Sequence, residues 1–384
     1  MGKGCRTVRS IYFFGLICGI LLNVAVYKFG ILWHHHQFFG VLNNITVTPL
    51  SDDSLQTAIL PSVSCTGRDV ELVICVPVEQ NNSAKRDAIR QTWGSYGKYG
   101  GRSGVTHPME DTSFEYMQIK PGEIILVFFT GSAPSNFTNE EQAKFHEEAR
   151  TYGDIFQDTY IDTYENLTLK SISIMKWVSE ECPNTRYVVK ADDDVYLNVP
   201  LLVNSLWRHA KYVKRRLTQT SNISPNQTFP PPFLAGLKNN GARVIRDKKS
   251  KWYTPKEVYK DKIYPSYLSG PAYAMSGSAA LSLYQASLRV PLFWMEDIYI
   301  TGLCAKVAQI PLLPDVRFKF RKTPPPSGCA FRKAISGHGY TITQMKRIYN
   351  ELNSRLLKCP LPTRKSLLSS RNSTRLRKDG FVLL

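Results

Sequence analysis

Three consecutive carboxylates close an apolar run, Arg186-Tyr187-Val188-Val189-Lys190-Ala191-Asp192-Asp193-Asp194-Val195-Tyr196. If the run is a β-strand, alternation sends Asp192 and Asp194 to one side and Asp193 to the other. Adjacent carboxylates repel and do not all stay ionised without a compensating cation. A divalent ion with a taste for oxygen, Mn²⁺ or Mg²⁺, would supply that charge. A solvated acidic turn is the plain alternative. A second acidic site, Trp294-Met295-Glu296-Asp297-Ile298-Tyr299, sets two carboxylates among apolar and aromatic residues. There Asp297 can serve as a general base, or it can cap a helix running to Val307 while its neighbour faces a ligand. His338, between Gly337 and Gly339, is a surface turn unless the fold carries it to Asp194. Tyr264 to Tyr273 mixes tyrosines with small residues. This suits either a sugar-binding wall or a turn between core strands.

These groups need a frame that brings them together. Glu71–Val78 and Glu123–Thr130 are short apolar runs of buried-strand type. Ala84–Trp93, Asn139–Thr151 and Asn166–Glu181 carry helical spacing, and Gly94–Lys120 reads as a loop. Arg86 and Arg90 lie four apart on one helix face. Alternating strands and helices predict an α/β fold with a mostly parallel sheet flanked by helices, and ligands at the carboxyl ends of its strands. The acidic triplet sits at such an end.

The chain has 384 residues, 43% of them hydrophobic and 21% charged, enough for a sizeable core and against global disorder. Its net charge of +18 fits an anionic partner: nucleic acid, a membrane surface or a nucleotide sugar. The N-terminus discriminates. Lys3, Arg6 and Arg9 precede an apolar run from Ile11 to Tyr27, extended by Phe29–Trp33. This reads as a retained type II membrane anchor with the body on the lumenal side. The expected organisation is a cytoplasmic tail (1–10), an anchor (11–33), a stem (34–66), a catalytic domain (67–360) and a basic tail (361–384). His34-His35-His36 falls in the stem and needs no metal. Asn44, Asn81, Asn136, Asn166, Asn226 and Asn372 stand in N-x-S/T sequons, as a lumenal body would use; Asn222 does too, but Pro225 weakens it. Nucleic acid is therefore not an expected partner. The basic stretch from Arg208 to Lys262 reads as a solvated face, or as one that attracts acidic glycans or lipid headgroups. Cys65, Cys75, Cys182, Cys304, Cys329 and Cys359 lack zinc spacing and point to disulfides. Cys304–Cys329 is the expected pair, and Cys75 a free core thiol.

Several motifs in order resemble a known family. They are Arg86-Asp87-Ala88-Ile89-Arg90-Gln91-Thr92-Trp93-Gly94, Asp162-Thr163-Tyr164-Glu165-Asn166-Leu167-Thr168-Leu169-Lys170, Lys190 to Val195, Tyr264-Pro265 through Ser276, and Glu296-Asp297-Ile298-Tyr299. From about Val70 to Cys359 the chain is similar to the β-1,3-glycosyltransferases of glycosyltransferase family 31. The resemblance implies a type A nucleotide-sugar transferase fold, a UDP-sugar donor, Mn²⁺ (Mg²⁺ as substitute), inversion at the anomeric carbon and residence in the Golgi membrane. It implies Asp194 and His338 as metal ligands and Asp297 as base. Arg86, Arg90, Lys190 and Asp192 fall on the donor side, with Tyr267, Gly270, Tyr273 and Glu296 on the acceptor side. The acceptor is a glycan on a glycoprotein or glycolipid; galactose is the favoured sugar, N-acetylglucosamine the alternative, and homodimerisation is left open. Leu268 and Pro271-Ala272 replace the family's cysteine and glycines after Tyr-Pro, which reshapes the acceptor wall. A glycoside hydrolase also uses two carboxylates but needs no metal or nucleotide pocket, and a lumenal glycan-binding module would consume no donor.

Overall fold

The computed structural model describes residues 55–63, 65–97, 124–133, 137–220, 229–320, 324–354 and 356–359. The expected tail, anchor, most of the stem, most of the 94–120 loop and the basic C-terminal tail lie outside them. Among the described residues no helix is long and apolar enough to cross a membrane.

The strands are β1 (Thr57–Ile59), β2 (Leu72–Pro77), β3 (Ile124–Ser132), β4 (Ile155–Ile161), β5 (Tyr187–Ala191), β6 (Val195–Leu197), β7 (Leu234–Asn239), β8 (Tyr267–Ser276), β9 (Leu312–Pro314) and β10 (Ser336–His338). Eight of them form one sheet in the order β1-β4-β3-β2-β5-β8-β7-β9. β4, β3, β2 and β5 run parallel, as do β7 and β9, while β8 lies antiparallel between β5 and β7. β6 and β10 form a separate antiparallel pair. The expected α/β architecture with a mostly parallel sheet is what the chain adopts.

The helices are α1 (Ser83–Gln91), α2 (Asn139–Tyr152), α3 (Leu167–Glu181), α4 (Val199–Thr220), α5 (Gly277–Ser287) and α6 (Ile342–Leu352). A π-helix spans Ile298–Cys304. Both faces of the sheet are covered, which explains why β2 reads as an unbroken apolar run. Val73 and Cys75 pack with Met175, Trp177 and Tyr299 on one face. Leu72, Ile74 and Val76 pack with Ile89, Leu202 and Ile348 on the other. The Thr138 side chain and Glu141 form a capping box that starts α2, and Gly153, with φ 61°, ends it in the left-handed region.

Two disulfides differ from the expected pairing. Cys65 joins Cys182 and Cys329 joins Cys359, with Cα separations of 5.0 and 5.4 Å. Cys304 is a free, buried thiol on the π-helix, packed into the core and away from Cys329. Cys75 is free and buried, as expected.

Candidate active site

The acidic triplet begins where β5 ends. Asp192 to Asp194 form a turn rather than a continued strand: the Val195 N–H donates to the Asp192 carbonyl at 3.1 Å before β6 starts. The turn still puts Asp192 and Asp194 on one side. Asp193 faces away, held by Lys85 Nζ at 2.9 Å and Asn82 Nδ2 at 3.3 Å. Burial raises the Asp193 carboxyl above the ordinary range, Lys85 opposes this, and the two neighbouring aspartates add to it.

His338 reaches the triplet through the β6–β10 ladder, which pairs it with Val195. The Gly339 and Tyr340 N–H groups both donate to the Asp194 carbonyl, at 3.1 and 2.9 Å. His338 Nε2 then lies 3.4 Å from Asp194 Oδ2, and the Phe320 ring lies nearly parallel to the imidazole, with 17° between their planes. Ligand atoms of Asp192, Asp194 and His338 fall within 4.8 Å of one another. Asp194 Oδ1 is buried without a hydrogen-bond partner among the described residues. Burial raises the Asp194 carboxyl, and the nearby imidazole counters the rise. Two carboxylates, an imidazole and an orphaned oxygen fit a divalent ion such as Mn²⁺ or Mg²⁺.

The second half of the site is built on β8, the strand beside β5. Asp297 is half-buried at the start of the π-helix. Its Oδ1 accepts from the Ile298 N–H at 2.8 Å and its Oδ2 from the Gly270 N–H at 3.1 Å. Burial, followed by the charge of Glu296, pushes its carboxyl up to about 7; the two backbone donors and Lys190 oppose the rise without cancelling it. A carboxyl that titrates near neutrality between acceptor-only hydrogen bonds is suited to take up a proton.

Lys190 connects the halves. It is fully buried, and its Nζ donates to Asp192 Oδ1 at 2.5 Å and to the Gly270 carbonyl at 2.8 Å, with Glu296 Oε2 at 3.6 Å. Burial works against its charge, but Asp192 and Glu296 outweigh it and hold the pKa above the usual lysine value. Lys190 and Tyr273 are paired across β5 and β8.

Other expected residues are placed differently. Glu296 is buried, and its Oε1 accepts from Tyr273 at 2.5 Å and Ser171 at 2.9 Å. Tyr273 is fully buried. These two are core partners of Lys190 rather than an exposed wall: β8 turns Tyr273 into the sheet's covered face, and Glu296, just before the π-helix, meets it there. Tyr267 and Gly270 remain partly accessible. Arg86 and Arg90 are buried and committed elsewhere. Arg86 donates to Glu148 and to the Glu79 and Gln80 carbonyls. Arg90 donates to Asp154, Asp87 and Glu148 and lies 3.8 Å from the Tyr152 ring centroid. Their nitrogens brace α1 against α2, so a donor contact at either has no open guanidinium face to use. Of the sequons, Asn81 is exposed, whereas the Asn166 amide donates to the Ile161 carbonyl at 2.8 Å. Asn44, Asn136, Asn226 and Asn372 lie outside the described residues.

An aromatic rim beside Asp297 escaped the sequence reading. Tyr164 is 53% exposed, its ring centroid 6.3 Å from that of Trp294. Trp252 lies near the Tyr164 hydroxyl, where it favours the ionised phenol. Burial raises the Tyr164 phenol, with Asp297 and Asp192 adding to the rise, so its hydroxyl lies in the field of both halves. Tyr164 and Trp294 stand inside quoted motifs, but Trp252 lies in a basic stretch with no signal for this role.

The sequence is similar to those of known galactosyltransferases. Mouse and human β-1,3-galactosyltransferase 1 are each 29% identical over 312 residues, covering 81% of this chain and 83% of theirs. Mouse β-1,3-galactosyltransferase 2 is 30% identical over 291 residues, which cover 75% of this chain and 60% of that protein. Among solved structures, the WbbM bifunctional glycosyltransferase aligns over 82% of this chain and 53% of its own, with 8% identity and a TM-score of 0.35. The galactosyltransferase family model matches residues 84–315, which run from α1 past the π-helix and include Lys190, Asp192, Asp194 and Asp297. The chain belongs to the galactosyltransferase family.

Proposed function

We propose that this protein transfers galactose, with inversion, from UDP-galactose to the 3-hydroxyl of an acceptor glycan, forming a β-1,3 linkage. The observation that carries the reading is the pair of half-sites on adjacent strands, Asp192/Asp194/His338 after β5 and Asp297 against β8, joined through Lys190 and Gly270. The names of the relatives support galactose as the sugar. The type A nucleotide-sugar fold, the Golgi location and the type II anchor belong to the same reading.

Asp192, Asp194 and His338 would hold Mn²⁺ or Mg²⁺. Bound there, the ion would offset the negative charge of the donor diphosphate as the sugar leaves. Asp297, as carboxylate, takes the proton of the acceptor 3-hydroxyl. That oxygen forms the new bond to the sugar's anomeric carbon, while the electrons of the broken bond leave with the UDP phosphate oxygen. The Gly270 and Ile298 N–H groups fix the carboxylate so that it faces the acceptor without rotating. Lys190 orients Asp192, and its charge offsets that of Glu296.

The test is the purified full chain with Mn²⁺, a panel of UDP-sugars and neutral and acidic terminal-sugar acceptors, read by product mass and linkage. A β-1,3-galactosyl product is expected. Transfer of N-acetylglucosamine in its place would overturn the donor assignment, and free sugar with no acceptor product would overturn the transferase reading.

A further inference from the structure

The loop between β7 and β8 is basic on its exposed side. Lys248, Lys249, Lys251, Lys256, Lys260 and Lys262 are exposed, against the acids Asp247, Glu257 and Asp261. The loop is well anchored. Arg246 donates to the carbonyls of Thr254, Tyr259 and Asp261, and Tyr264 donates to Thr254 Oγ1 at 2.9 Å. Tyr259 and Tyr264 pack on Phe293, whose neighbour Trp294 belongs to the aromatic rim. Lys251 Nζ lies 4.6 Å from the Trp252 ring centroid, and Trp252 is the rim residue near the Tyr164 hydroxyl. Tyr164, in the field of Asp297, meets Trp294 and neighbours Trp252, which carries Lys251 over its ring; Lys248 and Lys249 stand on the same anchored loop.

We propose that the acceptor is an anionic glycan: the sugar to be modified stacks on Tyr164 and Trp294, and an acidic group one or two sugars away is met by Lys248, Lys249 and Lys251. The proposal rests on the reading that Asp297 marks the acceptor side. Aromatic faces bind the apolar faces of sugars, and the lysines add charge complementarity at a rim that excludes no salt. Three exposed cations, each contributing weakly, are worth about ten-fold in affinity together, with the gain fading as ionic strength rises.

The experiment uses the full chain and matched disaccharides that are neutral, carry a carboxylate or carry a sulfate. Direct binding is measured by ligand-observed NMR and transfer by product mass. Wild type is expected to bind both charged disaccharides about ten-fold more tightly than the neutral one at low salt, and K248E/K249E/K251E to lose that preference while keeping kcat on the neutral acceptor. A preference for only one charged form assigns the acid as carboxylate or sulfate. Equal binding of neutral and charged disaccharides by wild type, or an unchanged preference in the triple variant, overturns the proposal. Absence of transfer to every acceptor, with charge-selective binding intact, would sink the transferase reading and leave the binding site standing.

Discussion

The Gly270 N–H donates to Asp297 Oδ2 at 3.1 Å, so the carboxylate that starts the π-helix is fixed by β8, the strand next to the one that leads into the acidic triplet. A Cβ at Gly270 would meet that same carboxylate at 3.4 Å, an ordinary contact. Gly270→Ala therefore folds, but its methyl covers part of the carboxylate. The expected outcome is unchanged thermal stability with a higher acceptor KM, measured by differential scanning calorimetry and steady-state kinetics.

Asp297→Asn removes the proposed proton acceptor while keeping the side chain's shape. Transfer should fall by about 10²–10⁴-fold, with UDP binding by calorimetry nearly unchanged. In wild type, kcat/KM should rise with pH along a limb centred near 7, where this carboxyl titrates. Loss of UDP binding in the variant, or a wild-type profile flat between pH 5 and 8, would reject Asp297 as base.

The same carboxyl leaves a mark on stability. Its ordinary value is 3.8 and burial raises it to about 7, so the folded chain keeps a proton that the unfolded chain has released. Its stabilising contribution is full below about pH 4, declines between about 4 and 7, and is flat above. Wild-type stability minus that of Asp297→Asn, from urea titrations, should fall across this window. A difference that rises with pH would contradict the assignment.

Asp194→Ala and His338→Ala each remove one ligand of the expected divalent ion. Mn²⁺-dependent UDP binding should weaken in both, and EDTA should abolish wild-type transfer. Full activity in EDTA would reject a metal role.

Arg90 is braced by Asp154 and Glu148 and sits over Tyr152 and Phe128. Arg90→Ala strands Asp154 at a largely buried site, while Glu148 keeps Arg86, and should cost about 3–5 kcal/mol in urea unfolding. Arg90→Lys recovers only part, because it cannot reproduce the two-pronged contact with Asp154. A stable Arg90→Ala that has lost UDP binding would restore the donor role for this residue.

The parallel half of the sheet was legible because β2 and β3 are buried on both faces, and α3 because its apolar spacing is regular. β8 was not: Gly270 and Pro271 interrupt the run, and they sit there because Gly270 serves Lys190 and Asp297 while the Pro271 carbonyl accepts from the Asp192 N–H. α4 was hidden by its cations, which read as a surface stretch although Leu202 and Leu206 face the core. The acids and His338 were legible as chemistry, but the partners that share their load lie far away in sequence. Lys190 and Gly270 are 80 residues apart, and nothing local marks them as a pair. The partners of Arg86 and Arg90 were hidden for the same reason: Glu148 and Asp154 come from α2 and the turn after it.

The Cys65–Cys182 bond lies at the amino ends of β2 and β5, the side of the sheet opposite Asp192 and Asp194. A pull on the chain from before residue 65 is therefore delivered to the last turn of α3. β1 and the Ser62–Gly153 contact can peel away under such a pull. The covalent link stops the tear there, and the acidic cluster at the far end of the strands bears none of the strain.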